Sequence, residues 1–172
     1  MILKAFKEKS NKKYLNKLLS QREVNVSDNK VKSLGVILNF DEIEDFNAFN
    51  VLASRLKIHA NKIKVVAFTT DVKSHGSSWD ACFNPKDFGW SGNVKHVELQ
   101  TFLNEPFDIL VSYYTQAHLE LKLLTALSKS QFKIGILQSE ARLNDLIIKT
   151  DINEIDVFSN EVEKYLTVLN KI

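Results

Sequence analysis

The sequence predicts one α/β domain with a doubly wound, mostly parallel sheet of about five strands. Short apolar runs typical of buried strands alternate with amphipathic helical segments from Ser33 onward. A strand at 107–114, a Leu-rich helix at 117–130 and a strand at 132–137 form a βαβ unit, which favours parallel pairing. At 172 residues the chain fits one domain, so the expected architecture is Rossmann-like or flavodoxin-like.

The other elements follow from periodicity and from capping residues. Further strands are predicted at 33–40, 62–70 and 94–99. The helix predicted at 41–56 begins with Asp41, and Glu44 three residues later completes a capping pair. An amphipathic helix at the carboxyl-terminal end runs through Ile155 and Leu169.

The amino-terminal end is a basic helix on a mildly acidic body. Residues 1–22 carry seven Lys or Arg residues and one acid, a net charge of +6, which leaves −4 for the rest of a chain of net charge +2. We predict a basic helix over 1–22, a polar linker over 23–32 and a single α/β domain over 33–172. The residues predicted to contact an anionic surface, either RNA or a membrane, are Lys4, Lys9, Lys12, Lys13 and Lys17. The alternative is a solvated helix that Leu3, Phe6 and Leu18 pack onto the domain.

Residues 77–92 (SSWDACFNPKDFGWSG) hold both tryptophans and the only cysteine of the chain. This segment follows the second predicted strand, at the edge where open α/β sheets bind ligands, and Asn84–Asp87 is predicted to form a turn. It either covers the core as a flap, or serves as a lid over a ligand or as a docking surface for another protein. The candidate contact residues are Trp79, Phe83, Phe88 and Trp90.

A second candidate site lies at the carboxyl ends of the predicted strands. If the strands at 33–40 and 107–114 are neighbours, their ends form a polar crevice. The candidate ligand contacts there are Asn39, Asp41, Tyr113, Tyr114 and Gln116. Thr115 serves either as a further contact or as the cap of the next helix.

The sequence lacks the motifs of several known kinds of functional site. The turn after the first strand, NFDEIEDF, has no glycine for a dinucleotide fingerprint or a P-loop, so no cofactor is expected. We predict that the acids of this turn cap the following helix, and the alternative is that they bind Mg²⁺. These acids are Asp41, Glu42, Glu44 and Asp45. The four histidines lack metal-ligand spacing, so no metal site is expected. We expect Cys82 to be a small buried side chain of the core. The alternative is a nucleophile for which His75 acts as the base.

The pattern FNPKDFGW, followed by FDILVSYY and ALSKSQFKIGIL, resembles a family of small uncharacterised bacterial proteins, a domain of unknown function. This resemblance covers nearly the whole chain and implies no activity. The segment from FDILVSYY to SQFKIGI is also similar in form to the amino-terminal half of heptosyltransferase-like glycosyltransferases. The nucleotide-sugar domain of such enzymes is missing here, so this second likeness implies shared architecture alone.

These observations favour a non-enzymatic cytoplasmic interaction module that uses residues 77–92 and the basic helix. The single cysteine suits a reducing compartment, and the first residues lack the continuous apolar core of a secretory signal. No apolar run reaches the length of a membrane span. The alternative is a small ligand-binding protein or enzyme, including a degenerate glycosyltransferase-like half, with its pocket at the carboxyl ends of the strands.

Overall fold

The computed structural model describes residues 1–24, 27–43, 45–71, 82–137 and 139–172. In these ranges the helices are α1 (Ile2–Ser20), α2 (Asn47–Arg55), α3 (Val97–Asn104), α4 (Leu119–Leu127) and α5 (Ile155–Val168). The strands are β1 (Leu34–Asn39), β2 (Ile63–Phe68), β3 (Cys82–Phe83), β4 (Ile109–Tyr113), β5 (Phe132–Gly135) and β6 (Leu146–Ile147). Short 3₁₀ turns lie at Ala60–Lys62, Pro85–Asp87 and Ala141–Leu143.

The six strands of the described chain form one sheet in which every pair is parallel, in the order β3-β2-β1-β4-β5-β6. Leu34 of β1 lies opposite Ile63 of β2 on one side and Ile109 of β4 on the other. The chain therefore builds the sheet outward from β1 in one direction, then returns to β4 and builds it in the other. This is the order of doubly wound sheets, which bind ligands at such a reversal point.

Helices cover both faces of the sheet because the central strands are apolar on both sides. On one face α2 and α5 contribute Phe49 and Phe158 to an apolar cluster with the sheet. On the other face α1, α3 and α4 contribute Leu15, Phe102 and Leu124 to a second cluster. The α/β class and the helices at both ends of the chain are confirmed.

Two details of the predicted sheet are wrong. It has six strands instead of about five, because β3 and β6 have two residues each and are too short to show a period in the sequence. The run at 94–99 enters helix α3 instead of forming a strand. Val94 makes a single bridge to Phe88, and Leu99 and Phe102 point into the core at helical spacing.

The second helix begins at Asn47, six residues later than predicted from Asp41. Asp45 takes the capping role in part, because its Oδ1 accepts a hydrogen bond from the Asn47 N–H (3.0 Å). Glu44 lies outside the described residues. The division of the chain at residues 22 and 32 stays a prediction.

Candidate interaction surface

The carboxyl ends of β1 and β4 adjoin, which is the condition for the predicted crevice, and bring Glu42 against the loop that follows β4. The Glu42 carboxylate accepts hydrogen bonds from the N–H groups of Thr115 (3.1 Å) and Gln116 (3.2 Å), from the Thr115 hydroxyl and from Asn39 Nδ2 (3.1 Å). Consecutive backbone N–H groups of this kind bind anions in many proteins. Here they already bind a carboxylate of the same chain.

Asp41 joins the ends of β1 and β2. One of its carboxylate oxygens accepts from Thr69 Oγ1 (2.6 Å), and the other accepts from the N–H (3.0 Å) and hydroxyl (2.7 Å) of Thr70. The capping role predicted for Asp41 is therefore wrong, and so is the alternative in which Thr115 caps the next helix, since α2 and α4 begin several residues after them. Both residues instead fasten strand ends to one another.

The predicted contacts Tyr113 and Tyr114 are buried, and so is Asn39. The Tyr113 hydroxyl donates to the carbonyl of Ile152 (2.8 Å), and the Tyr114 hydroxyl shares a hydrogen bond with Thr125 Oγ1 (2.8 Å). Burial raises the pKa of both phenols. Of the five residues predicted to contact a ligand at the strand ends, Asp41 and Gln116 are exposed.

Two aromatic residues of the segment 77–92 belong to the core. Phe83 and Phe88 are buried in the same apolar cluster as Phe102 of α3, so they stabilise the core and are not accessible to another molecule. Trp90 is 49% exposed. Trp79 lies outside the described residues. Within the described part of this segment, Trp90 is therefore the aromatic residue that another molecule can reach.

The turn predicted at Asn84–Asp87 is confirmed: the Asp87 carboxylate accepts from the Asn84 N–H (2.9 Å) in a reciprocal capping box. Cys82 is half-buried, and burial raises the pKa of its thiol, with further increases from Asp41 and Asp87. A thiol of raised pKa is a poor nucleophile at neutral pH, and His75 lies outside the described residues. Among the residues that the structure describes, no group of three or more His, Cys, Asp or Glu side chains could hold a metal ion.

Helix α1 is fixed to the domain by Asn11, whose side chain is buried. Its Nδ2 donates to the carbonyl of Gly89 (3.0 Å), and its Oδ1 accepts from the N–H of Gly92 (2.9 Å). Gly92 has φ +71°, and a Cβ at this position would lie 2.4 Å from the ring of Tyr14, so the contact requires glycine. The turn that carries Trp90 is thereby clamped onto α1.

The opposite side of α1 is exposed along its length. We call it the outer face, and it consists of Ile2, Phe6, Lys9, Lys13 and Lys17. At 3.6 residues per turn these side chains fall within an arc of about 80°, on the side away from the buried residues Asn11, Leu15 and Leu19. Ile2 is 74% and Phe6 57% exposed, and Leu3 is 75% exposed, so the packing predicted through Leu3 and Phe6 is wrong.

The lysines of the outer face form a row of unpaired charge. Lys9, Lys13 and Lys17 are exposed, and their ammonium groups make neither a hydrogen bond nor an ion pair with the described part of the chain. Lys12, in contrast, pairs with Glu8 (2.6 Å). Like charges four residues apart repel one another on a helix, so this row does not stabilise α1.

A cleft of about 370 Å³ lies between α1 and the beginning of α4. Lys4, Lys7, Pro85 and His118 are among the residues that line it, and Lys7 Nζ donates to the carbonyl of Pro85 (3.3 Å). None of the five residues predicted as ligand contacts at the strand ends lines this cleft.

Sequence reasoning missed the structural roles of Asn11 and Glu42. A signal for Asn11 is present, because the apolar stripe of the first helix lapses between Ser10 and Lys13, where the buried asparagine replaces an apolar contact. Glu42 gave no such signal, since an acid after a strand resembles an ordinary helix cap.

Within the described ranges, no helix is both long and apolar enough to cross a membrane. Comparison with curated proteins and with solved structures gave no match. A family model described as a family of unknown function (DUF6913) matches residues 7–169, from α1 to the end of α5. This confirms the predicted membership of a family without an assigned activity. The chain belongs to the family of unknown function DUF6913.

Proposed function

We propose that this protein is a non-enzymatic interaction module that binds a negatively charged partner through the outer face of α1. The observation that carries the proposal is the row of exposed, unpaired lysines, Lys9, Lys13 and Lys17, on a helix that buried Asn11 holds against the domain. A helix that is already ordered loses little conformational freedom on binding, so its charges meet a partner in a preformed array.

The strand ends support the non-enzymatic part of the proposal. The Glu42 carboxylate accepts hydrogen bonds from the N–H groups of Thr115 and Gln116, and the Asp41 carboxylate accepts hydrogen bonds from Thr69 and Thr70. A substrate at this edge of the sheet would have to displace a carboxylate of the protein from its hydrogen bonds. The crevice where related architectures bind ligands is thus engaged in holding the fold together.

The aromatic segment enters the proposal through its tryptophans. Trp90 is exposed in the turn that Asn11 clamps onto α1, and we include it as an aromatic contact of the module, together with Trp79, which lies outside the described residues. The single cysteine supports a cytoplasmic location for the module, and the strand order supports a Rossmann-like description of its fold.

Salt-dependent retention of the full chain on heparin, a general polyanion, tests the proposed function. We expect the variant K9Q/K13Q/K17Q to elute at clearly lower salt than the wild-type protein, because three of the charges that heparin contacts are removed. The matched control is K62Q/K129Q/K149Q, which lowers the net charge by the same three units at exposed lysines outside α1. Equal elution of the two triple variants, or no retention of the wild-type protein, would refute the proposal.

The second candidate function is a small ligand binder or enzyme, including a degenerate glycosyltransferase-like half. The cleft between α1 and α4 favours it, because Lys4, Lys7 and His118 give this cleft donors for an anionic group, beside the acids Glu8 and Glu120. A ligand that binds only the folded state raises the midpoint of thermal unfolding. Thermal unfolding with inorganic phosphate, nucleotides and sugar phosphates tests this candidate, and a shift that Lys7→Met abolishes would support it over the interaction module.

A further inference from the structure

We propose that the partner of the outer face is a lipid bilayer surface that carries anionic headgroups. This inference rests on the proposed function, since it names the kind of negatively charged partner. Its basis is that one face of one helix presents two chemistries together: the lysine row at positions 9, 13 and 17, and the exposed apolar residues Ile2 and Phe6 with Leu3 beside them.

A bilayer surface satisfies both chemistries at once. Apolar side chains of an interfacial helix enter the boundary between headgroups and acyl chains, while lysines reach the headgroups through their flexible stems. The phosphates of RNA would pair with the lysines but leave Ile2, Leu3 and Phe6 in water. The composition of the face therefore favours the bilayer over a nucleic acid.

The way that α1 packs on the domain leaves its outer face accessible to a flat surface. Its inner side packs on the domain through Asn11, Leu15 and Leu19, so the outer face points away from the domain along the helix. From Phe6 to Lys17 this face extends about 17 Å at 1.5 Å per residue. The helix would lie parallel to the membrane with its outer face down, which agrees with its being too polar to cross a bilayer.

The charge contribution can be stated as a fold-change. A lysine near an anionic leaflet strengthens binding by about fivefold, so the loss of three lysines weakens it by about 100-fold. The loss of two inserted apolar side chains weakens it by at least about tenfold. Both effects are large enough to measure by sedimentation of vesicles.

The experiment uses the full chain with two kinds of vesicle, phosphatidylcholine alone and phosphatidylcholine with an equal amount of phosphatidylserine, and with a single-stranded oligouridylate as the RNA probe. We expect strong, salt-sensitive binding to the phosphatidylserine vesicles and weak binding to the other two. K9Q/K13Q/K17Q should weaken the vesicle binding by about 100-fold relative to its control K62Q/K129Q/K149Q.

The apolar contribution is tested by Ile2→Ser with Phe6→Ser. The matched control is Val97→Ser with Val168→Ser, two exposed valines outside α1. We expect at least about a tenfold loss of vesicle binding in the first variant and no loss in the control. Circular dichroism of each variant checks that the fold is retained.

The outcomes separate this inference from the function on which it rests. Binding to the oligouridylate but not to vesicles, with loss in K9Q/K13Q/K17Q, would overturn the bilayer and leave the anionic partner in place. Vesicle binding that Ile2→Ser with Phe6→Ser does not weaken would also overturn the bilayer inference. If heparin, oligouridylate and vesicles all fail to bind, both proposals are wrong.

Discussion

The two faces of helix α1 use polar residues in opposite ways. On the inner face, the amide of Asn11 is buried and hydrogen-bonded at both its ends, to Gly89 and Gly92. On the outer face, the ammonium groups of Lys9 and Lys13 have no partner in the described chain. A polar group that is satisfied inside the fold stabilises the fold, whereas an exposed group without a partner remains available to another molecule. The partners of a residue, more than its type, therefore distinguish structural positions from candidate contacts.

The same contrast holds elsewhere in the molecule. Glu42 and Asp41 carry charge at the edge of the sheet where ligands are expected, yet both are engaged by neighbouring residues. Lys133 is a lysine like those of the outer face, but it is buried, and its Nζ donates to the carbonyl of Thr125 (2.6 Å) at the last turn of α4. Burial lowers the pKa of Lys133 to about 8.

Asn11→Ala should give the largest effect on stability. It leaves the carbonyl of Gly89 and the N–H of Gly92 buried without partners, and we expect the free energy of unfolding to fall by about 3 kcal/mol. Urea denaturation measures this change. Asn16→Ala, on the exposed side of the same helix, is the control and should cost less than about 0.5 kcal/mol. Equal costs for the two variants would contradict the assignment of Asn11 as the clamp of the inner face.

Lys133 should make the free energy of unfolding depend on pH. Its folded-state pKa of about 8 lies below the ordinary lysine pKa of 10.5, so between these pH values the unfolded chain binds a proton that the folded chain has released. The contribution of Lys133 to stability therefore rises with pH across this window, by about 2 to 3 kcal/mol, while the raised pKa values of Tyr113 and Tyr114 act in the opposite direction near its upper end. Chemical denaturation at pH 7.5 and 10.5, as a rough bracket of the window, measures the rise.

The matched variants for this pH test are Lys133→Met and Lys129→Met, the second being an exposed lysine close by in the chain. Lys133→Met should remove most of the rise, and Lys129→Met should keep it. If the wild-type protein, Lys129→Met and Lys133→Met all showed the same change of stability over this window, Lys133 would not be desolvated.

Glu42→Gln should have a smaller effect, a loss of about 1 to 2 kcal/mol in the free energy of unfolding. Glutamine keeps the shape of the side chain but replaces one acceptor oxygen with a donor that faces the N–H groups of Thr115 and Gln116. These partners are exposed and water can replace part of what is lost. Urea denaturation beside Glu98→Gln, an exposed glutamate of α3, provides the comparison. Stability equal to that of Glu98→Gln would mean that Glu42 does not hold the strand ends together.

The smallest effect on stability is expected for the outer face itself. K9Q/K13Q/K17Q should unfold within about 0.5 kcal/mol of the wild-type protein, with a slight gain where repulsion between lysines four apart is relieved. The same variant should lose binding to polyanions, so stability and binding separate at this face. A loss of stability above about 1 kcal/mol would show that these lysines have structural partners after all.

Much of the fold follows from the sequence. The apolar run at 33–40 and the βαβ unit at 107–137 predict parallel strands, and the structure adds that β1 and β4 are neighbours. β3 and β6 escaped prediction because two residues show no period, and the run at 94–99 misled because Val94 and Val97 suggest a strand while Leu99 and Phe102 belong to a helix.

The candidate sites were less predictable than the fold. The aromatic segment drew attention by its composition, yet Phe83 and Phe88 serve the core and Trp90 is the exposed member in the described part. The acids after β1 looked like helix caps because capping and strand-end bonding draw on the same residue types. The lysines of α1 were recognised as a group, but which of them form one exposed row depends on how the helix is rotated against the domain.

Local properties of the chain, its periodicity and its charge, are enough to predict the α/β class, the helical character of both ends and the basic charge of the first helix. Which polar groups are satisfied depends instead on how the chain folds. Asn11 meets Gly89 across 78 residues, and Glu42 meets Thr115 across 73. Only folding brings such distant residues together, and that is why Asn11 and Glu42 are structural while Lys9, Lys13 and Lys17 stay exposed without a partner in the described chain.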